Sequence, residues 1–338
     1  MRKIRLALIG FGNVGRAFAT LLERKRGALE LAYNLDASVV GIYTRTHGAA
    51  SSQDGLNLQS LLDLAASGKP IGSPDRFNNA MDFIHRCDAD VLVENTSVNV
   101  VDGEPALSYM LEGLQRGMHI ITANKGPIVY AHARLREAAK SAGKQIRFES
   151  TVMDGAPIFS LWRETLPAAS LTGFRGILNS TTNLVLSLME DGLDFSAAVK
   201  QAQDLGIAET DPSGDLQGWD AAIKVAALVR VLLDIPFTPR SVRREGIEKI
   251  SLEDVLQARQ DGQRWKLLCE MNCEEGEIQA SVRPVLLTKA DPLYQIMGTS
   301  TAVTFSTDVL GPLTISAKDP TPNTTAYGLL ADLISLYR

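Results

Sequence analysis

Cysteine and histidine are scarce in this 338-residue chain, which has three of the first and four of the second. Cys87, Cys269 and Cys273 form no C-x-x-C pair, and His47, His85, His119 and His132 are scattered. Neither a disulfide framework nor a transition-metal site is therefore expected. Cys269 and Cys273 lie four residues apart, a spacing that suits one face of a helix and a packing role. There is also no apolar run of about 18 residues, the length a membrane-spanning helix requires. Positive charge is in deficit, with 34 basic against 39 acidic residues and a net charge of −5. Nothing in that balance favours nucleic acid or an anionic membrane. Met1-Arg2-Lys3 leads straight into a short strand-like run ending in glycines, unlike a secretory leader. A cytoplasmic location is the default expectation. What remains is an ordinary globular composition, 45% hydrophobic and 22% charged, in a chain long enough for two domains.

The first chemical signal is near the start. Residues 4–9 read as a buried strand, followed at once by Gly10-Phe11-Gly12-Asn13-Val14-Gly15 and a helical pattern over 16–29. In a strand-turn-helix context such a G-x-G-x-x-G predicts a dinucleotide site: tight turn, close approach to a pyrophosphate, close helix packing. The helix N-terminus adds unpaired N–H groups and a positive dipole end. Asp36 falls near the spacing of a ribose-binding acid, but the strand is expected over 38–43, which leaves Asp36 in an exposed turn before it. The strand ends instead in Thr44-Arg45-Thr46-His47. A cation and hydroxyls there suit a 2′-phosphate better than a bare diol, so NADP is favoured, with NAD as the alternative. Strands are also expected over 90–94 (DVLVE) and 119–122 (HIIT), leaving Thr96, Ser97 and Lys125 beyond their carboxyl ends, where open parallel sheets gather ligands.

The second signal is the acidic run at 209–224, ETDPSGDLQGWDAAIK. Glu209, Asp211 and Asp215 sit among turn residues, and a helix begins near Trp219 on which Asp220 and Lys224 share one face. The pair can do acid or base work. Alternatively it is an exposed ion pair at a capped helix start, contributing only about 0.3–0.5 kcal/mol.

Together GFGNVG at 10–15, ENTS at 94–97, TANKGP at 122–127, FEST at 148–151, NSTTN at 179–183 and AETDPSGDLQGWDAAIK at 208–224 resemble the homoserine dehydrogenase family. The blocks occur in the family's order. The resemblance implies NAD(P)-dependent interconversion of L-aspartate 4-semialdehyde and L-homoserine, on the path to threonine and methionine. By that resemblance Lys224 is the catalytic lysine with Asp220 one turn before it, and Lys125 stands between coenzyme and substrate. Glu209, Asp215, Asp220, Lys125 and Thr182 are implied as substrate contacts. Gly206 and Glu209 are implied beside the coenzyme, together with Gly10–Gly15, Arg45, Thr96, Ser97 and Lys125. A sodium-like cation is implied at Glu149, Val152, Asp154 and Ala156, whose oxygen donors suit a hard ion. A homodimer is implied as well.

Several positions depart from the family pattern. Met153-Asp154-Gly155 replaces a small glycine-rich stretch, Ser180 replaces a glycine, and residues 316–323 (SAKDPTPN) replace a glycine-alanine-rich loop. The sequence stops at Arg338 without a C-terminal regulatory domain, so threonine feedback through one is not expected.

The expected fold is α/β. A Rossmann-type doubly wound nucleotide-binding domain occupies 1 to about 135, and the last helix, about 323–338, packs back on it. An α+β substrate and dimerisation domain occupies 149 to about 310, with helices near 183–192, 195–205 and 219–233. Strands are expected at 278–287 and 301–307. Aldehyde reduction needs a hydride from the coenzyme and a proton from the protein. With no Tyr-x-x-x-Lys pair and no zinc ligands, a lysine is the remaining acid. Asp220 and its acidic neighbours should raise the Lys224 pKa, so burial and Lys125 must offset them. Rival readings are another small amino- or keto-acid reductase on this scaffold, a thioester-forming aldehyde dehydrogenase through Cys87, and a non-catalytic dinucleotide sensor.

Overall fold

The computed structural model describes residues 1–73, 76–274 and 276–338. The chain divides into two compact units, Met1–Pro157 with Thr321–Arg338, and Ile158–Pro320. The first runs on past the expected end near residue 135, so Glu149 belongs to it. The second unit reaches beyond residue 310.

In the first unit the elements alternate: β1 (Arg2–Ile9), α1 (Asn13–Tyr33), β2 (Leu35–Tyr43), β3 (Ala49–Ser51), α2 (Leu58–Ala66), α3 (Ala80–Arg86), β4 (Val91–Glu94), α4 (Ala106–Gln115), β5 (His119–Thr122), α5 (Lys125–Ser141) and β6 (Ile146–Arg147). The sheet order is β3-β2-β1-β4-β5-β6, parallel except for β3. The order reverses at β1, so the space beyond the carboxyl ends of β1 and β4 is the ligand crevice of a doubly wound sheet. Leu6, Ala7 and Leu8 are all buried, because helices cover both faces of a central parallel strand.

β2 begins earlier than expected. Asp36 lies inside it, half-buried and in register with Lys3, rather than in an exposed turn. Main-chain pairing with β1 overrides the poor strand preference of aspartate. Asp36 is at the amino end of the strand, opposite to the ligand crevice.

The second unit contains β7 (Leu171–Ile177), α6 (Ser180–Glu190), α7 (Phe195–Asp204), α8 (Ser213–Leu216), α9 (Trp219–Leu232), β8 (Arg243–Arg244), α10 (Leu252–Gln260), β9 (Gln263–Glu274), β10 (Glu277–Thr288), β11 (Thr301–Thr307) and β12 (Leu313–Ala317). Its sheet order is β12-β11-β7-β9-β10-β8, antiparallel except for the short β8. Cys269 and Cys273 are on β9, not on a helix. Lys266, Leu267, Leu268 and Cys269 are buried on both strand faces, so the run lacks the period-two alternation that would mark a strand.

The chain closes with α11 (Pro322–Ser335), which belongs to the first unit. Its Ala326, Leu329, Leu330 and Leu333, with the following Leu336, join Phe18, Leu22 and Leu29 of α1 in one buried cluster. Each buried leucine among them contributes roughly 1.5–3 kcal/mol.

Candidate active site

The turn at the head of the cleft in the first unit is built on glycine backbone. Gly10 has φ +93°, and a Cβ there would lie 2.4 Å from the carbonyl oxygen of Asn95, at the end of β4. Gly15 is similarly constrained, its Cβ position being 2.7 Å from the Gly10 carbonyl oxygen. Nothing lies within 4 Å of a Cβ on Gly12. Gly10 and Gly15 thus close the turn, while Gly12 keeps its outer side open. Gly12 is also the N-cap of α1 and offers no side-chain cap to the N–H groups of Asn13, Val14 and Gly15. Those donors and the positive helix end are suited to a pyrophosphate.

A cleft of about 380 Å³ extends from Gly10, Phe11 and Gly12. Arg16, Arg45 and His47 line it, as do Asn95, Thr96 and Ser97. The turn after β2 holds itself together: Thr44 Oγ1 donates to the Gly48 carbonyl and accepts from the His47 N–H, each within 2.9 Å. Beneath the cleft Glu94 is fully buried. It accepts from the Thr96 N–H at 2.8 Å, from the Thr96 hydroxyl, and from the Thr122 hydroxyl at 2.9 Å. Burial raises its pKa, and these hydrogen bonds work against that shift. The Thr122 hydroxyl in turn accepts from the Asn124 N–H at 2.9 Å. Asn124 caps α5, whose first residue is Lys125.

The second unit collects its chemistry from side chains. Lys224 Nζ lies 3.0 Å from Asp220 Oδ2 and donates to the Leu178 carbonyl at 2.6 Å. The two side chains are only 16% and 19% exposed, which separates this pair from a solvated ion pair. Asn179, the N-cap of α6, donates through Nδ2 to Asp215 Oδ1 at 2.6 Å and to Asp220 Oδ2 at 3.0 Å. Its Oδ1 accepts from both the N–H and the hydroxyl of Thr182, at 2.8 and 2.9 Å. One amide therefore binds two carboxylates and a helix start. Burial raises the Asp215 pKa, and the Asp220 charge adds to that, opposed by Asn179, Thr181 and Lys224. Glu209 and Gly206 lie in the exposed connection after α7, where Gln203 Nε2 donates to the Glu209 carbonyl at 3.2 Å. Lys125 belongs to the first unit.

The residues implied as a cation site lie where the first unit meets its own last helix. Glu149 is buried, and its N–H donates to Asp332 of α11 at 2.8 Å. Asp154 has φ +52°, and its Oδ1 accepts from the Thr325 hydroxyl at 2.7 Å. Its carbonyl oxygen faces Gly328, 3.1 Å from where a Cβ would stand. Asp154 Oδ1 and its carbonyl oxygen thus face α11. No group of three or more metal-ligating His, Cys, Asp or Glu side chains occurs among the described residues.

Two polar side chains were not singled out as site residues from the sequence. Asn179 is recognisable only as a helix cap, because its grip on Asp215 and Asp220 depends on tertiary placement. Asn95 is flanked by the named Thr96, yet its own amide oxygen and nitrogen are buried in the cleft lining without a hydrogen-bond partner.

A dinucleotide cleft at a glycine turn, with a buried lysine-carboxylate cluster in a second unit, defines a nicotinamide-coenzyme oxidoreductase. Residues 157–334 match the family model described as homoserine dehydrogenase, and residues 10–149 match that of the homoserine dehydrogenase NAD-binding domain. The chain is 40% identical to the NAD(+)-dependent homoserine dehydrogenase of Pseudomonas canavaninivorans, covering 100% of this chain and 97% of that one. It is 36% identical to the homoserine dehydrogenase of Methanocaldococcus jannaschii, over 98% of each. A crystal structure of a putative homoserine dehydrogenase from Archaeoglobus fulgidus superimposes with a TM-score of 0.89 at 30% identity, covering 99% of both chains. This chain belongs to the homoserine dehydrogenase family.

Proposed function

We propose that the protein interconverts L-aspartate 4-semialdehyde and L-homoserine, with Lys224 as the proton-transfer residue. The carrying observation is the Lys224 ammonium held between Asp220 and the Leu178 carbonyl, with Asp215 one asparagine away. When bound, the nicotinamide coenzyme supplies the hydride that goes to the aldehyde carbon. Lys224 releases a proton to the carbonyl oxygen as the new C–H bond forms, and takes one from the hydroxyl in the reverse direction. Asp220 keeps the ammonium in place and steadies the charge change. Asp215 and Glu209 offer carboxylates to the α-ammonium of the substrate, Thr182 supports the cluster through Asn179, and Lys125 offers a cation to the substrate carboxylate. Gly206 leaves its loop open beside Glu209.

For the coenzyme, Gly10–Gly15 bind the pyrophosphate, and Thr96 and Ser97 border the nicotinamide half. Arg45 and Arg16, with no acid at the end of β2, favour the 2′-phosphate of NADP. The relative from Pseudomonas canavaninivorans is NAD(+)-dependent by name, so NAD is the alternative. A sodium-like ion at Glu149, Val152, Asp154 and Ala156 would brace the segment beneath α11. A homodimer is supported by the resemblance and by the outer edge of β12, which pairs with no further strand among the described residues and lies next to exposed Val309 and Leu310. Residence in the reducing cytoplasm fits three free cysteines.

The test is direct. Purified protein should reduce NADP when given L-homoserine, and Arg45→Ala should cut the preference for NADP over NAD about tenfold, equal to ~1.4 kcal/mol. Protein that binds NADPH yet gives no homoserine-dependent NADPH formation would overturn the assignment.

A further inference from the structure

Lys266 on β9 is 1% exposed and takes no part in the chemistry above. A buried ammonium persists only where its donors are satisfied. Here Nζ donates to Asn183 Oδ1 at 2.8 Å and to the Ile296 carbonyl, and contacts Met297 Sδ at 3.3 Å. Three donors thus meet three acceptors, two of them in the segment 296–300.

The same segment is tied to α6 at two further points. Asn183 Nδ2 donates to the Ser300 carbonyl at 3.0 Å, and the Gly298 N–H donates to Ser187 Oγ at 3.0 Å. Ser187 Oγ donates back to the Asn183 carbonyl at 2.7 Å. The Thr299 hydroxyl donates to Asp319 at 3.2 Å, which extends the connection to the atypical stretch 316–323. Asn183 is one helical turn after Asn179, whose amide holds Asp215 and Asp220. A shift of α6 against β9 therefore moves the residue that aligns both carboxylates with Lys224.

We infer that Lys266 is a positioning residue for the dehydrogenase reaction, its buried ammonium locking segment 296–300 and the first turns of α6 in the register that presents Asp215 and Asp220 to Lys224. The inference rests on the assignment of the Lys224 cluster as the reacting site.

The charges facing Lys266 are known. Glu190 at the end of α6 stabilises the ammonium, and Arg264 on β9, which pairs with Glu190 at 3.1 Å, opposes it. Arg259 of α10 donates to the Glu190 carbonyl, and Asp191 lies beside Glu190. Burial is the largest influence and lowers the Lys266 pKa to about 8. Between that value and the ordinary lysine range the unfolded chain binds the extra proton, so this group makes stability rise with pH. The lock, by contrast, weakens over the same interval.

The experiment is a pH profile of kcat/KM for homoserine oxidation, with thermal unfolding measured alongside, on wild type and Lys266→Met. The wild type should lose rate above an inflection near pH 8 with no fall in thermal stability attributable to this group. Lys266→Met should be slower by about threefold to thirtyfold at neutral pH and lack that inflection. Should Lys266→Met not fold, Asn183→Ala, which keeps the ammonium and removes one acceptor, should show a similar rate loss with the inflection displaced. Wild-type rate and profile in whichever variant folds would overturn the inference. Lys224→Ala loses most of its turnover in either case, so failure here is distinguishable from failure of the underlying assignment.

Discussion

The two ligand-facing regions are made of opposite materials. At Gly10, Gly12 and Gly15 the surface is peptide backbone, and what matters is that no side chain stands at those three positions. Around Lys224 the backbone lends one carbonyl, and the rest is a network of buried amide, carboxylate and ammonium groups. In the first region adding atoms does harm, and in the second removing them does. The coenzyme region presents donors to a ligand anion at a helix end, so its electrostatics are fixed by the fold. The lysine region depends on protonation states, so its electrostatics vary with pH and with substrate charge.

The largest expected effect breaks the second region and spares the first. Lys224→Ala should lower turnover by a factor of about 10²–10⁴, the usual contribution of a positioned acid or base. NADPH affinity, read by fluorescence titration, should stay near wild type. A parallel loss of coenzyme binding would mean that the two regions do not divide the work in this way.

The first region can be divided within itself. Gly10→Ala adds a Cβ 2.4 Å from the Asn95 carbonyl oxygen at φ +93° and should destabilise the protein by roughly 2–5 kcal/mol. Gly12→Ala meets nothing in the fold and should leave the melting temperature alone while weakening NADPH binding by about tenfold or more. Equal melting temperatures for the two variants would contradict the distinction between turn-closing and ligand-facing glycines.

Asp215 sharpens the contrast through pH. Its pKa is raised, chiefly by burial, so it takes a proton at a pH where an ordinary carboxylate stays ionised. Only the ionised form pairs with the substrate ammonium, so KM for homoserine should climb as pH falls through that raised value. The contribution of this group to stability has the opposite sign. The folded form binds more protons in that window, so its contribution falls as pH rises. Asp215→Asn should raise KM at neutral pH by roughly tenfold to a hundredfold and remove this acid limb. A variant that retains the limb would assign it to another group.

The smallest effect concerns neither region directly. Asp154→Ala removes the contact to the Thr325 hydroxyl and should cost about 1 kcal/mol, seen as a melting-temperature drop of a few degrees with kcat unchanged.

How far the sequence revealed this arrangement follows the same contrast. The coenzyme crevice was legible because a strand, a glycine turn and a helix are adjacent in the chain, and each leaves a local signature. Asp220 and Lys224 were legible because four residues make one helical turn. Asn179 was not, since its role depends on α6 and α9 being brought together. Lys266 was hidden in the run before Cys269, and the four-residue spacing of Cys269 and Cys273 suggested a helix where β9 runs. A strand buried on both faces has no alternation to betray it, and a buried charge gives no local hint of its acceptors. Asp36 was misread because the start of β2 is set by pairing with β1, not by its own residues.

The closing helix α11 has a consequence for biogenesis. The buried cluster under α1 is incomplete until residues 326–336 exist, and the whole second unit is inserted before them. On the ribosome, where folding follows emergence, the first unit is completed only after the second has been made. Its early strands must wait with an open apolar face while Ile158–Pro320 is made, a period in which a chaperone has the most to protect.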